Sequence, residues 1–523
     1  MKGRSTRGGA APGGVTRRGL LKTGGAGAGA ALAARALPFA PAAAAQEAPD
    51  VPNALVVVVS NMRWDHVGHY GSSRALDTPN LDELAGDSIW FKNAMPESMP
   101  GIPSQRAIIT GMRSFPFRDW RPTEGYAAYP GWGPVHSIHP LVTEVMRAGG
   151  IDATYVTDNP FLDGPRFEDF RRPQGARDPG DPFMVGDNPS AADIERDMID
   201  ALDRDQAAAE RTIDTGIGLL GSLSRGGPFF LGLDGLDPQD AVEVPATYID
   251  RGDPDPVRQG EKPYGPIHPI DLQDSTIDRV RERYEEYVRG IDEIVGRLMQ
   301  AADDEGLLDN TLVWFLSHNG IALGEHGIMG RAAPTSYREA NFVPYFIRDY
   351  DGRRKNHKSF YFASTHDVAP TLLSMMDLVI PGKMDGEDLT ALLDEEDPPR
   401  RHYFTSGIPA GALAGNNRFL LVIAGDNDQR ALYDVDEDDD GHNKDEPWEE
   451  EDHDQIRDHP EATEKLLAAL EAEAGGTLPD FTVNGALRPL PEQEDDDELD
   501  ADEEDLPSDE DETPGNDPNR RDT

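Results

Sequence analysis

The chain has 523 residues, with 49 basic against 98 acidic side chains, a formal net charge of −49 and no cysteine. That length suits one large α/β domain with appendages, and the acidity excludes a nucleic-acid binder that works through a general basic field. The lack of cysteine excludes disulfides, thiolate metal sites and cysteine nucleophiles together.

Residues 1–45 carry basic charges and no acids, and Thr16-Arg17-Arg18-Gly19-Leu20-Leu21-Lys22 is a twin-arginine pattern. A Gly/Ala-rich stretch follows, and Ala42 to Ala45 offer small-residue cleavage sites, so 1–45 reads as a twin-arginine signal peptide. The stretch is too short and glycine-rich for a spanning helix, and no transmembrane segment is expected. The reading is an extracytoplasmic protein, secreted or at the cell surface. Its strong self-repulsion at low salt points to a halophilic setting, of the haloarchaeal kind.

Ala54–Val59 is a continuous apolar, β-branched run, the pattern of a strand buried on both faces. Similar runs occur at Ala153–Val156, Phe229–Leu233 and Leu312–Leu316, with a weaker one at Pro344–Ile347. From Asp274 to Met299, Ile277, Val280, Tyr284, Val288, Ile291, Val295 and Leu298 recur at three- and four-residue spacing, which predicts an amphipathic helix. Strands alternating with helices predict a mainly parallel sheet covered on both faces. Chemistry is then expected just past Val59, Leu233 and Leu316, at the carboxyl ends of the strands. Pro381-Gly382 and the acidic 394–400 stretch mark a boundary between an α/β domain over about residues 50–390 and a C-terminal subdomain over 391–475. The latter carries a strand at Phe419–Ile423 and a helix near 461–473. Residues 476–523 read as an acidic, disordered tail; Pro491–Thr523 holds 17 acids against two arginines and almost nothing apolar.

Several segments, in order, resemble the sulfatase family of the alkaline-phosphatase superfamily. Arg63-Trp64-Asp65-His66-Val67-Gly68-His69-Tyr70-Gly71 and Thr78-Pro79-Asn80-Leu81-Asp82-Glu83-Leu84-Ala85 are similar to the family's opening. Pro103-Ser104-Gln105-Arg106-Ala107-Ile108-Ile109-Thr110-Gly111 resembles its signature segment. Phe229–Leu233 with Asp237-Pro238, Leu312-Val313 through Ser317, and Leu323-Gly324-Glu325-His326-Gly327 resemble its central and late metal-site strands and loops. His366-Asp367-Val368-Ala369-Pro370-Thr371 and Leu432-Tyr433-Asp434 resemble its closing segments. The resemblance implies an alkaline-phosphatase-like three-layer sandwich around a mainly parallel sheet, with a smaller C-terminal α+β subdomain. It also implies sulfate-ester hydrolysis with calcium or magnesium held by carboxylates and amides, a formylglycine nucleophile, and cationic groups that clamp the sulfate.

Carried over position by position, that chemistry is broken. The two metal-binding acids after the first strand fall on Ser60 and Asn61, and the nucleophile falls on Gly101, so no formylglycine is expected. The signature arginine falls on Gln105, with Arg106 next to it as a substitute that could bind substrate. Asp234 and Gln239 stand where histidines follow the central strand. The late metal Asp falls on His318, leaving Asn319 as the one intact ligand type, while His326 matches a family histidine and Arg331 stands where a lysine is common. A calcium or magnesium site without these carboxylates loses most of its affinity. Asp234 is the best placed acid to rebuild one, and paired with His318 it could take a transition metal.

Each of these residues also has a plainer reading. Ser60 and Asn61 could end their strand by bonding nearby backbone, and His66 and His69 could be packing groups. Ser98 and Ser104 are hydroxyls near the lost nucleophile. Arg63, Arg74, Lys92, Arg106, Arg113, Arg118 and Arg121 lie in a charge-neutral segment, and either pair with its acids or form a cationic pocket. Three functions remain open. One is a non-hydrolytic sulfatase homologue binding an anionic glycan or a small sulfate or phosphate ester. The second is an atypical metal-dependent ester hydrolase using Asp234 and His318, and the third a structural or partner-binding surface protein.

Overall fold

In chain order the strands are β1 (Asn53–Val59), β2 (Ile89–Met95), β3 (Asp152–Thr157), β4 (Phe170–Arg171), β5 (Phe229–Asp234), β6 (Thr247–Ile249), β7 (Thr311–Ser317), β8 (Ile321–Leu323), β9 (Ile328–Arg331), β10 (Tyr345–Arg348), β11 (His357–Ser364), β12 (Phe404–Ile408), β13 (Gly411–Gly415), β14 (Phe419–Ala424) and β15 (Gln429–Asp434). The helices are α1 (Pro79–Gly86), α2 (Gly101–Thr110), α3 (Val142–Ala148), α4 (Ala191–Leu223), α5 (Asp274–Asp304), α6 (Arg338–Asn341), α7 (Val368–Met375), α8 (Thr390–Leu393) and α9 (Pro460–Glu473). This computed structural model describes residues 51–478 except 118–119, 121–122, 125, 127–130, 163–164, 177–189, 239–246, 250–271, 326–327, 332–337, 395–400, 409–410, 425–428 and 435–455. The twin-arginine segment, Gln239, His326 and the acidic tail beyond residue 478 lie outside the described residues, as does the side chain of Arg331.

Eight strands form the central sheet in the order β11-β2-β10-β7-β1-β5-β3-β4. Only β10 runs against the rest, pairing antiparallel with both β7 and β2, while β1 lies between β5 and β7 and is parallel to both. Every residue of β1 is buried, as its unbroken apolar run requires. The strand period of two then divides those residues between two cores. Leu55, Val57 and Val59 face one core, with Leu202 and Ile213 of α4 and Tyr284, Val288 and Ile291 of α5. Ala54, Val56 and Val58 face the other, with Ile108 of α2, Met146 of α3 and Leu372 of α7. Helices on both faces of a sheet make the three-layer sandwich predicted from the sequence.

The long helix α5 buries Ile277, Val280, Tyr284, Val288, Ile291, Val295 and Leu298, the stripe read from its spacing. Each such burial contributes about 1.5–3 kcal/mol. The C-terminal sheet, order β12-β13-β14-β15, is antiparallel. It carries α9 on one face through Leu421, Leu432, Leu466 and Leu470. An isolated bridge joins its first strand to the main domain, Ser98 to Gly407. Among the described residues, no helix is long and apolar enough to cross a membrane.

Candidate functional site

The register of the sheet brings the separate sequence positions together. Val58 sits opposite Asp234 on one side, and Val59 sits opposite Ser317 on the other. The residues that follow β1 and β7 therefore leave the sheet level with the last residue of β5, as expected for the carboxyl edge of a parallel sheet. The backbone is held there by His318 N donating to Val59 O (2.8 Å) and Gly235 N donating to Val58 O (3.0 Å). Asn61 takes a left-handed conformation, φ 54°, which asparagine tolerates better than most residues. From α5, Tyr287 Oη donates to Ser60 O, and Tyr284 Oη donates to Asn61 O at 3.0 Å.

Past this edge, Ser60, Asn61, His318, Asn319 and Asp234 form one buried network. Ser60 Oγ and His318 Nδ1 share a hydrogen bond of 3.1 Å. On the other side of the ring, His318 Nε2 lies 3.1 Å from Asp234 Oδ1, out of line for a straight hydrogen bond. Both side chains are fully buried. Asp234 Oδ2 accepts from Tyr155 Oη at 2.6 Å, and burial followed by the Asp234 charge raises the Tyr155 phenol well above its usual range. Alongside, Asn319 Nδ2 donates to Asn61 Oδ1 (2.6 Å) and to Gly320 O (2.7 Å), while Asn61 Nδ2 donates to Asp205 Oδ2 of α4 at 2.5 Å. The plainer expectation that Ser60 and Asn61 bond nearby backbone is thus corrected: they bond side chains brought from α4 and the loop after β7.

Tyr155 and Asp205 carry no local sequence signal, and reading the chain alone misses both. One signal does exist for Tyr155. Its partner in register on β5 is Gly232, and a Cβ there would strike the Tyr155 ring. The glycine is what lets the ring lie across β5 and reach Asp234.

The signature-like segment opens α2. Gly101 is the first residue of the helix and is buried. Ile102 packs with Trp132, Phe161 and Leu236, with Tyr126 against them. Gln105 is bonded at both ends, Nε2 donating to Thr157 Oγ1 (2.8 Å) and Oε1 accepting from Asn159 Nδ2. Arg106, one residue on, faces a different direction, as successive helical residues must; its Nη2 lies 3.2 Å from His139 Nδ1. Ser104 Oγ is buried with no hydrogen-bond partner, and no base is bonded to it. Just upstream, the buried Glu97 carboxylate accepts from Ser98 Oγ (2.7 Å), Ser114 N (2.8 Å) and Phe115 N (3.1 Å). Burial nevertheless pushes its pKa up to about 7, against the pull of Arg113 and these donors.

Several of the described basic groups are engaged with acids rather than gathered at the strand ends. Arg63 is buried and paired with Asp65 (2.5 Å) and Glu325 (2.9 Å), Arg74 with Asp65 (3.4 Å) and Glu339 (3.3 Å), and Arg113 with Glu473 (2.8 Å). Burial raises the Asp65 carboxyl, but Arg63 and His66 outweigh it and hold the group well below the usual range. Asp65 is therefore an internal counter-ion. His66 bonds Asp65 (2.9 Å) and packs edge-on against Tyr284, and His69 packs on Trp90.

A divalent metal of the calcium or magnesium kind needs six or more oxygen ligands, several of them carboxylates. The residues here do not fit that need. Ser60, Asn61, His318 and Asn319 bring no carboxylate, and both oxygens of Asp234 face internal partners. Among the described residues no group of three or more His, Cys, Asp or Glu is placed to hold a metal ion.

The comparison that decides ancestry covers most of the sandwich: the family described as Sulfatase matches residues 52–378. The chain belongs to the sulfatase family. Among its sulfatase relatives, an arylsulfatase of Clostridium perfringens is 24% identical over 396 residues, 67% of this chain and 80% of that protein. Iduronate 2-sulfatase of Homo sapiens is 26% identical over 381 residues, 63% of this chain and 67% of that one. The fold is also similar to a phosphonate monoester hydrolase of Agrobacterium radiobacter, with a TM-score of 0.57, 19% identity and coverage of 81% and 96% of the two chains. A 2-O GAG sulfatase gives a TM-score of 0.58 at 15% identity over 82% and 93%. This sulfatase-family chain keeps the sandwich, and it carries a buried hydrogen-bonded cluster at the strand ends.

Proposed function

We propose that this chain is an exported sulfatase-family protein that has lost ester hydrolysis and binds the sulfate or phosphate groups of anionic glycans outside the cell. The observation that carries the loss of hydrolysis is the buried Ser60–His318–Asp234–Tyr155 cluster, with Asn61–Asn319–Asp205 beside it. A nucleophile must reach its substrate and be activated by a base. Here the equivalent position is Gly101, which has no side chain to react. The choice of ligand class is supported by relatives such as iduronate 2-sulfatase and an ulvan-active sulfatase of Formosa agariphila, whose names place sulfated saccharides among the family's substrates.

The test is saturable binding of sulfated oligosaccharides to the signal-free protein in molar salt, with the desulfated compounds as controls. Binding that ignores the sulfate, or no saturation at all, removes the ligand half of the proposal. Turnover of aryl sulfate or phosphate esters above background removes the non-hydrolytic half. The 3.1 Å approach of His318 to Asp234 favours one second reading, an atypical hydrolase built on that pair. Turnover abolished by Asp234→Ala or His318→Ala would establish it.

A further inference from the structure

We infer that the His318 side chain replaces the family's divalent cation, so that this chain assembles the carboxyl edge of its sheet without any metal ion. The inference rests on the same site as the non-hydrolytic reading. Its test measures metal and stability, not ligand or turnover, so either can fail alone.

Three facts support it. First, the resemblance puts the family's cation between the ends of β1 and β7, where it would tie the ligands after those strands together. In this chain the tie is made by a ring: His318 reaches Ser60 with Nδ1 and faces Asp234 with Nε2, bridging β1 and β5 from the end of β7. Second, the residues at the former acid positions are matched to one another. An acid at position 60 could not share the same neutral hydrogen bond with the imidazole, and an acid at 318 would face Asp234 as a like charge in a dry site. Ser60 and His318 are 258 positions apart in sequence, yet each is the other's partner. Third, the carboxylate that faces the ring is already engaged, by a hydrogen bond at one oxygen and by the close approach of the imidazole at the other. Tyr155 donates to Oδ2 at 2.6 Å, and His318 lies 3.1 Å from Oδ1. A cation would have to displace one of these and would gain one charged ligand where hard cations use several.

The remaining donors point the same way. Asn319 and Asn61 are the amides left at the family's ligand positions. They bond to each other, and Asn61 bonds onward to Asp205. Bonded in this way, they leave no oxygen-rich cage.

The experiment uses the full signal-free chain, purified in molar potassium chloride and dialysed against EDTA. Metal content and thermal midpoint are then read with and without added calcium, magnesium, manganese and zinc. The expected result is sub-stoichiometric metal throughout and a midpoint that none of the ions shifts. Near-stoichiometric metal that survives dialysis, or a midpoint lowered by EDTA and restored by one ion, overturns the inference. His318→Gln supplies the second arm. Its midpoint is expected to fall and to stay low with every ion, because the bridging ring is lost and no cage replaces it. A midpoint equal to wild type, or one that an added ion recovers, also overturns it.

Discussion

A double-mutant cycle on His318 and Asp234 tests the central geometry most directly. The two side chains meet at 3.1 Å with no solvent exposure, so removal of the imidazole leaves Asp234 buried with only the Tyr155 phenol beside it. Breaking a buried pair by deleting one partner costs about 3–5 kcal/mol, and His318→Ala is expected in that range. Asp234→Asn keeps the shape and removes the charge, but turns an amide N–H toward either Tyr155 or His318. About 1–3 kcal/mol is expected for that mismatch. Because the residues share the contact, the double variant should be less destabilised than the sum by roughly 1–3 kcal/mol. At about 2 cal/mol/K per residue of unfolding entropy, a chain of this size moves its midpoint by only ~1 °C per kcal/mol. Urea titration in molar salt is therefore the better assay, read as midpoints at constant slope. Additivity within about 0.5 kcal/mol would refute the claim that these groups act as a pair. The coupling should also survive a change from low to molar salt, since salt screens a fully buried contact far less than an exposed one.

The exposed ion pairs between α4 and α5 should behave in the opposite way: Arg297→Gln, which loses Asp214 and Glu210, is expected to lower stability slightly at low salt and not at all in molar salt. For Glu97, whose folded pKa is raised by burial to about 7, the stabilising contribution is fully present below pH 4.5 and is lost as pH rises to 7. Over that window it removes about 3 kcal/mol, at 1.36 per unit, and Glu97→Gln should flatten that part of the stability–pH curve relative to wild type. Gly232→Ala should displace the Tyr155 ring and, by freeing Asp234, destabilise about as much as Tyr155→Phe or more; a neutral result would remove Tyr155 from the network. Introducing acids by Ser60→Asp, Asn61→Asp and His318→Asp together should give a protein that is weakened in EDTA and stabilised by calcium, read as a midpoint shift. No response to calcium would mean that more than these three positions separates this site from a metal cage.

Much of the sandwich was legible in the sequence because buried parallel strands and long amphipathic helices announce themselves by short-range pattern. The runs at Ala54–Val59, Phe229–Leu233 and Leu312–Leu316 became β1, β5 and β7, and the stripe from Ile277 to Leu298 became the buried face of α5. The pattern was silent for β2 and β11. Lys92 and Asn93 interrupt one, and His357 and Lys358 open the other, where an edge position lets polar side chains reach solvent. The sequence alone also excluded a formylglycine made from cysteine, since the chain has none. It could not determine what the site has instead. Ser60, Tyr155, Asp205, Asp234 and His318 sit on five different segments, and only the parallel register of β3, β5, β1 and β7 with α4 packed against it brings them within hydrogen-bond reach. A hydrogen bond forms over about 3 Å and carries no trace along the chain, whereas burial repeats every two or 3.6 residues and does. Periodicity is therefore enough to read the layers, and tertiary structure alone decides which polar side chains meet at their edge.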